Sequence, residues 1–127
     1  MTYETELFGA LSPLCASTTN GPAYYVNVFP QKGEPSPWPA IRTTLVSGIP
    51  EAAICGNGND DETDFRIQID GITSNAKLRT ALRLAIQAAM SSLATPCLCD
   101  NFEDSYDVES RGYRTRLDYL LLPSSAP

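Results

Sequence analysis

In the stretch Phe65-Arg66-Ile67-Gln68-Ile69-Asp70, apolar and polar residues alternate without a fault. Successive side chains of a β-strand point to opposite faces, so Phe65, Ile67 and Ile69 are expected to face a core and Arg66, Gln68 and Asp70 to face outward. The period then changes. Over residues 74–93, Leu78, Leu82, Ala85, Ile86, Ala89, Met90 and Leu93 recur at three- and four-residue spacing. That is the apolar stripe of an amphipathic helix. Lys77, Arg79, Arg83 and Gln87 lie mostly off the stripe, alanine favours the helix, and Pro96 closes it. A strand wet on one side, followed by a helix with one apolar stripe, points to a sheet with helices on one face.

Further along the chain, Tyr113-Arg114-Thr115-Arg116-Leu117-Asp118-Tyr119-Leu120-Leu121 alternates again. Tyr113, Thr115, Leu117, Tyr119 and Leu121 share one face; Arg114, Arg116 and Asp118 share the other. Residues 97–108 are expected to hold its antiparallel partner, with Glu109-Ser110-Arg111-Gly112 as the turn. Toward the N-terminus, Tyr3, Leu7, Ala10, Leu11 and Leu14 have helical spacing. Thr2 suits the cap, Glu4 and Glu6 suit the positive end of the helix dipole, and Pro13 ends or kinks the last turn. Residues 17–22 read as a polar turn. Tyr24-Tyr25-Val26-Asn27-Val28-Phe29 reads as a strand ending at Pro30, and residues 40–46 as a second strand closed by Ser47-Gly48. Residues 50–54 read as a short strand or an irregular edge, and residues 31–39 and 56–62 as loops. The predicted order is α, β, β, β, α, β, β. It defines an α+β two-layer sandwich, an antiparallel sheet with two helices packed on one face. A single domain is expected over residues 1–122, with a short flexible tail over residues 123–127.

Composition narrows the function. The chain has 127 residues, 43% apolar, enough to bury a core without staples. A net charge of −6 argues against a protein that grips nucleic acid, because that task needs cations against phosphates. The chain has no histidine. This removes the commonest general base and metal nitrogen ligand, and with them Ser-His-Asp and Cys-His catalysis within one chain. No Gly-rich phosphate loop, nucleotide fingerprint or nucleophile elbow occurs. The cysteines are Cys15, Cys55, Cys97 and Cys99. The spacing in Cys97-Leu98-Cys99 suits zinc poorly, so buried thiols are expected. Met1-Thr2-Tyr3-Glu4-Thr5-Glu6 is acidic and lacks the positive start of a signal peptide. No apolar run approaches the ~18 residues that read as a membrane span. The expectation is therefore no enzyme, no catalytic residue, no metal, no cofactor and no membrane partner.

Three constellations remain. Asp60, Asp61, Glu62 and Asp64 are the one dense carboxylate cluster. They lack the ligand spacing of a calcium loop and read as a solvated loop. A metal-dependent hydrolase using Asp60, Asp61 and Asp64 is the enzymatic alternative. Arg66, Gln68, Asp70, Arg114, Arg116 and Asp118 make two polar strand faces. These are either the wet side of a half-solvated sheet or a mixed-charge face that meets a subunit or partner. Trp38, within Pro35-Ser36-Pro37-Trp38-Pro39, either plugs the edge of its own core or anchors a partner; the plug is the simpler reading.

Four segments follow one another along the chain: Glu6-Leu7-Phe8-Gly9-Ala10-Leu11-Ser12-Pro13-Leu14; Val28-Phe29-Pro30 with Pro39-Ala40-Ile41; Phe65 to Asp70 with Ala81-Leu82-Arg83-Leu84-Ala85; and Tyr113-Arg114-Thr115-Arg116-Leu117-Asp118-Tyr119. In this order they resemble the opening helix, first strands, central strand–helix unit and closing strand of the small tail-completion (tail-terminator) family of tailed phages and prophages. The resemblance implies a lambda-type tail-terminator-like fold and a structural virion protein. Such subunits form a homo-oligomeric ring, commonly a hexamer, on the head-proximal end of the tail tube. The ring ends tube polymerisation and joins the tail to the head connector or stopper protein. The implied partners are the tail tube protein and that connector, with DNA passing through the lumen without specific binding. The implied place is the virion neck, after assembly in the host cytoplasm. Asp60, Asp61, Glu62 and Asp64 are candidates for the lumen, where weak repulsion lets DNA slide. Residues 31–39 and 56–64 are longer than the family pattern leads one to expect. Another neck component, such as a stopper or connector adaptor, is the alternative; a host-encoded module binding through the open sheet face is a further one.

Overall fold

The chain was analysed as a computed structural model that describes residues 3–18, 21–27, 38–50, 63–108 and 111–122. In chain order these form helix α1 (Tyr3–Leu11), a 3-10 turn (Ser12–Leu14), a small hairpin of β1 (Ser17–Thr18) and β2 (Gly21–Pro22), and strands β3 (Tyr24–Val26), β4 (Ala40–Pro50) and β5 (Thr63–Thr73). Helix α2 (Ala76–Ser91) and strands β6 (Cys97–Asp107) and β7 (Gly112–Leu121) follow. The main sheet has the order β3-β4-β5-β7-β6, so the faultlessly alternating stretch is its central strand.

The α+β class is as expected, with both described helices on one face of the sheet. Leu7 and Leu11 of α1 and Leu82, Ile86 and Met90 of α2 join Ile41, Ile67, Ile69, Leu117, Tyr119 and Leu121 in one buried cluster. Every strand member of that cluster is odd-numbered, as period-two alternation requires. The sheet is mixed rather than wholly antiparallel: Tyr24, Tyr25 and Val26 pair in parallel with Ile41, Arg42 and Thr43. Parallel neighbours need a crossover of a dozen or more residues, and residues 27–39 provide the length.

Several element boundaries differ from the sequence reading. Ser47-Gly48 does not close β4. A bulge between Leu45 and Ser47 absorbs one residue, and pairing with β5 resumes as far as Pro50↔Thr63. Among the described residues β3 pairs only with the start of β4, so the far half is an edge that tolerates Pro50. Residues 51–54 lie outside the described residues. Helix α2 starts at Ala76, where the Asn75 side chain accepts a 2.8 Å hydrogen bond from the Leu78 amide. Leu78, expected on the buried stripe, is 47% exposed. Leu82 lies over Gly71, two residues from the end of β5, so the turn that holds Leu78 runs off the sheet. Gly71 brings the helix close: a Cβ there would sit 2.7 Å from Leu82 Cδ2.

At the N-terminus, Pro13 lies in the 3-10 turn that ends α1, as expected. The proposed cap Thr2 lies outside the described residues. Trp38 is half-buried against a second small cluster, Ala23, Ala40 and Ile72, so it plugs the end of its own sheet. Strand β6 pairs antiparallel with β7 as expected. Of the expected turn between them, Arg111 takes the left-handed conformation at φ 57 and Gly112 begins β7; Glu109 and Ser110 lie outside the described residues, as does the tail over residues 123–127.

Candidate functional site

The face of the sheet opposite the helices gathers the two polar strand faces into one surface. Register places Arg42 of β4 beside Asp70 of β5, Asp70 beside Arg116 of β7, and Arg116 beside Glu103 of β6. A row of alternating sign therefore crosses four strands, the arrangement that stabilises neighbouring strands. Arg42 Nη2 donates to Asp70 Oδ2 at 2.6 Å, and Gln68 Nε2 donates to the same oxygen at 3.0 Å. Arg116 pairs with Glu103 at 3.1 Å, and Arg66 pairs with Asp100. Asp118 lies between Gln68 and Asn101 in register. A small polar pit of about 140 Å³ opens among Arg42, Gln68, Asp70, Glu103, Arg114 and Arg116. Asp70 does not face solvent as expected; it is 3% exposed, because Arg42 and Gln68 cover it. Arg42 was not singled out in the sequence. Its place in the second strand was visible, but not which residue it would face.

The helix-covered side has a second polar centre that sequence reasoning missed. A bulge between Cys99 and Asn101 shifts the alternation of β6, so Phe102, Asp104 and Tyr106 lie opposite Leu117, Thr115 and Tyr113. Thr115 Oγ1 donates to Asp104 Oδ1 at 2.7 Å, and Arg83 pairs with Asp104 Oδ2. Arg79 lies 3.9 Å from the same carboxylate and donates to the Ser105 carbonyl at 2.8 Å. Burial alone would raise the Asp104 pKa. The hydrogen bonds from Thr115 and Arg83, with the charges of Arg83 and Arg79, outweigh it and hold the carboxyl below its ordinary value. The Arg83 guanidinium lies 4.5 Å from the Phe102 ring centroid, and Arg79 lies 5.4 Å from that of Tyr113. Phe102 and Tyr106 remain about half exposed on this edge strand.

The opposite lateral end of the sheet carries an apolar cleft of about 640 Å³, lined by Leu7 and Phe8 of α1, Tyr24 and Val26 of β3, Leu45 of β4 and Ile67 of β5. Phe8 meets Tyr24 edge to face at 5.5 Å, and the Tyr24 hydroxyl shares a 3.1 Å hydrogen bond with Thr43 Oγ1. Burial raises the Tyr24 pKa despite that bond. Glu4 sits at the rim of the cleft. Glu6 is occupied, its carboxylate accepting from the Thr95 amide at 3.0 Å and the Thr95 hydroxyl at 2.6 Å.

Burial pushes the Cys15 thiol up to about 11, against a weaker opposing hydrogen bond from the Ile41 backbone. Burial, then the neighbouring Cys99, raises Cys97 as well. Both donate to helix carbonyls, Cys15 to Leu11 and Cys97 to Met90. At neutral pH they are protonated packing groups, poor nucleophiles and poor metal ligands. Burial raises Tyr119 beside them, with Cys99 and Cys97 adding to the shift. Cys55, Asp60, Asp61 and Glu62 lie outside the described residues, while Asp64 lies in β5 opposite Ile49. Among the described residues, no three acidic or thiol side chains converge on a possible ion position, and no helix is long and apolar enough to cross a membrane. No family model and no curated protein matches the chain.

Proposed function

We propose that the chain is a structural subunit of a phage neck: a tail-completion protein that closes the head-proximal end of the tail tube as a ring, ends tube growth and offers a surface to the head connector or stopper. The observation that carries this reading is order. The segments that resemble the family lie in α1, the start of β4, β5 with α2, and β7, which are elements of one sheet and its helical cover; Val28-Phe29-Pro30 lies outside the described residues. Among the described residues, several side chains with chemical potential are occupied in holding that unit together. Asp70, Asp104 and Glu6 are tied by hydrogen bonds, and Cys15 and Cys97 are protonated thiols. Such uses suit a protein whose work is contact.

In this reading the open face of the sheet, with Arg66, Gln68, Asp70, Arg114, Arg116 and Asp118, is offered to the tube or the connector. DNA passes through the lumen unheld, past Asp60, Asp61, Glu62 and Asp64, and the subunit joins the virion in the host cytoplasm. Deleting the gene from its phage or prophage and measuring tails by electron microscopy tests this. Overlong tails are expected, because an uncapped tube continues to polymerise. Tails of normal length beside unjoined, filled heads would favour the alternative neck component. Intact virions would sink both readings.

A further inference from the structure

The geometry points to a docking site for an extended peptide segment of a partner protein. The segment adds as a short strand to the far half of β4, with one apolar side chain in the cleft beside α1 and a lysine or arginine against Glu4. Such a site is independent of a place in the virion. The two edges of the sheet are built differently. Strand β6 carries Asp100, Glu103 and Asp107 along its length, a guard against strand addition. Strand β4 holds no charge from Thr43 to Pro50. Among the described residues, β3 covers only Ile41, Arg42 and Thr43 of that strand. The last bond between them runs from the Asn27 amide to the Thr43 carbonyl at 2.8 Å. Asn27 itself has a left-handed φ of 71, which ends extended pairing. Backbone direction alternates along a strand, so Leu45, two residues on, turns its amide and carbonyl to the same edge. Leu45 and Val46 are 48% and 54% exposed there.

Strand addition takes affinity from main-chain hydrogen bonds and selectivity from pockets for alternate side chains. The cleft is such a pocket, because Leu45 lines it together with Phe8, Tyr24 and Val26. A strand laid beside Leu45 therefore sets one of its alternate side chains over apolar walls. Among the described residues, Glu4 is the one charged side chain lining the cleft. The complementary segment is apolar at alternate positions and basic where it passes Glu4. The same carboxylate disfavours a second copy pairing β4 to β4, since Thr43 to Pro50 offer no base to it. The bulge after Leu45 and the missing N–H of Pro50 keep the added strand short.

The probe is a fluorescent, end-capped nonapeptide with valine at odd positions, threonine at even positions and lysine in the centre. It is titrated against the full chain by anisotropy, and saturable binding below millimolar concentration is expected. Two backbone-methylated forms read the edge. Methylating either the odd or the even amides blocks one side of the peptide, so one form should bind like the parent peptide and the other should lose about tenfold or more. Glu4→Lys should weaken the lysine peptide about fivefold and strengthen the same peptide with glutamate in the centre. Circular dichroism checks folding, and Glu4→Gln replaces a reversal that fails to fold, with the lysine peptide weakened about threefold. No saturable binding, the same outcome for both methylated forms, or indifference to the change at Glu4 would overturn the inference. So would a dimer of the parent chain, seen by light scattering, that the peptide dissolves, because the edge would then belong to a second copy.

Discussion

The two faces of β5 are both buried at their centre, and by different physics. Toward the helices, Ile67 and Ile69 are enclosed by the side chains of α1 and α2, and Gly71 lies against Leu82 and Ile86. Their contribution is non-directional and scales with area, at about 25 cal/mol per Å². Away from the helices, Asp70 is 3% exposed, as buried as the isoleucine two residues on. Its cover is ionic and directional, made by Arg42 and Gln68. Burial alone therefore does not mark the core of this sheet. The helix-covered face should lose stability in proportion to the atoms removed. The open face should lose it in steps, when a partner leaves a charge stranded.

The largest effect is expected on the helix face. Ile69→Ala should lower unfolding free energy by about 2–5 kcal/mol, read from urea denaturation, since the residue is fully enclosed and the site is walled by two helices and the sheet. On the open face, Arg42→Ala should cost about 2–3 kcal/mol. Breaking a fully buried pair costs about 3–5 kcal/mol. Here the 22% exposure of Arg42 and the Gln68 amide soften the loss. Adding Asp70→Asn to Arg42→Ala should recover part of it, because the stranded charge is gone. No recovery, or a larger loss from Arg42→Ala than from Ile69→Ala, would break the comparison.

Gly71→Ala should fall below these, at about 1–2 kcal/mol. The added methyl meets the flexible end of Leu82, which can turn away only by loosening its contact with the sheet. Thermal melting reads the loss.

What was legible in the sequence follows from the same contrast. Period-two alternation exposed β5 and β7, and the three-four spacing exposed α2, because one face of each meets the core. Register leaves no such trace. Arg42 is an unremarkable polar residue of a strand until β4 is laid beside β5 with Arg42 opposite Asp70. The bulge after Cys99 shifts β6 by one residue, hiding from a periodic reading that Asp104 and Phe102 would meet Arg79 and Arg83. Those arginines read only as residues off the stripe, yet they bind α2 to the sheet edge. The continuation of β4 past Ser47-Gly48 was hidden because local turn chemistry was overruled by the long ladder with β5. The parallel pairing of β3 was hidden because three residues carry too little pattern to show direction.

The smallest expected effect separates ionic from apolar support by pH. Asp104 is held below its ordinary pKa in the folded chain, its burial outweighed by Thr115, Arg83 and Arg79. Its charged form therefore adds stability above the carboxylate pKa of the unfolded chain. That contribution is lost as pH falls through the lower folded value. Asp104→Asn, which keeps shape and loses charge, should cost about 1 kcal/mol at neutral pH. The gap between it and the parent chain should narrow as pH drops below the ordinary carboxylate range. The loss from Ile69→Ala has no proton to exchange, so the gap it opens should stay constant over the same range. If Asp104→Asn opened a gap that did not narrow in acid, the loss would come from the amide donor set against Thr115 and Arg83 and not from the missing charge.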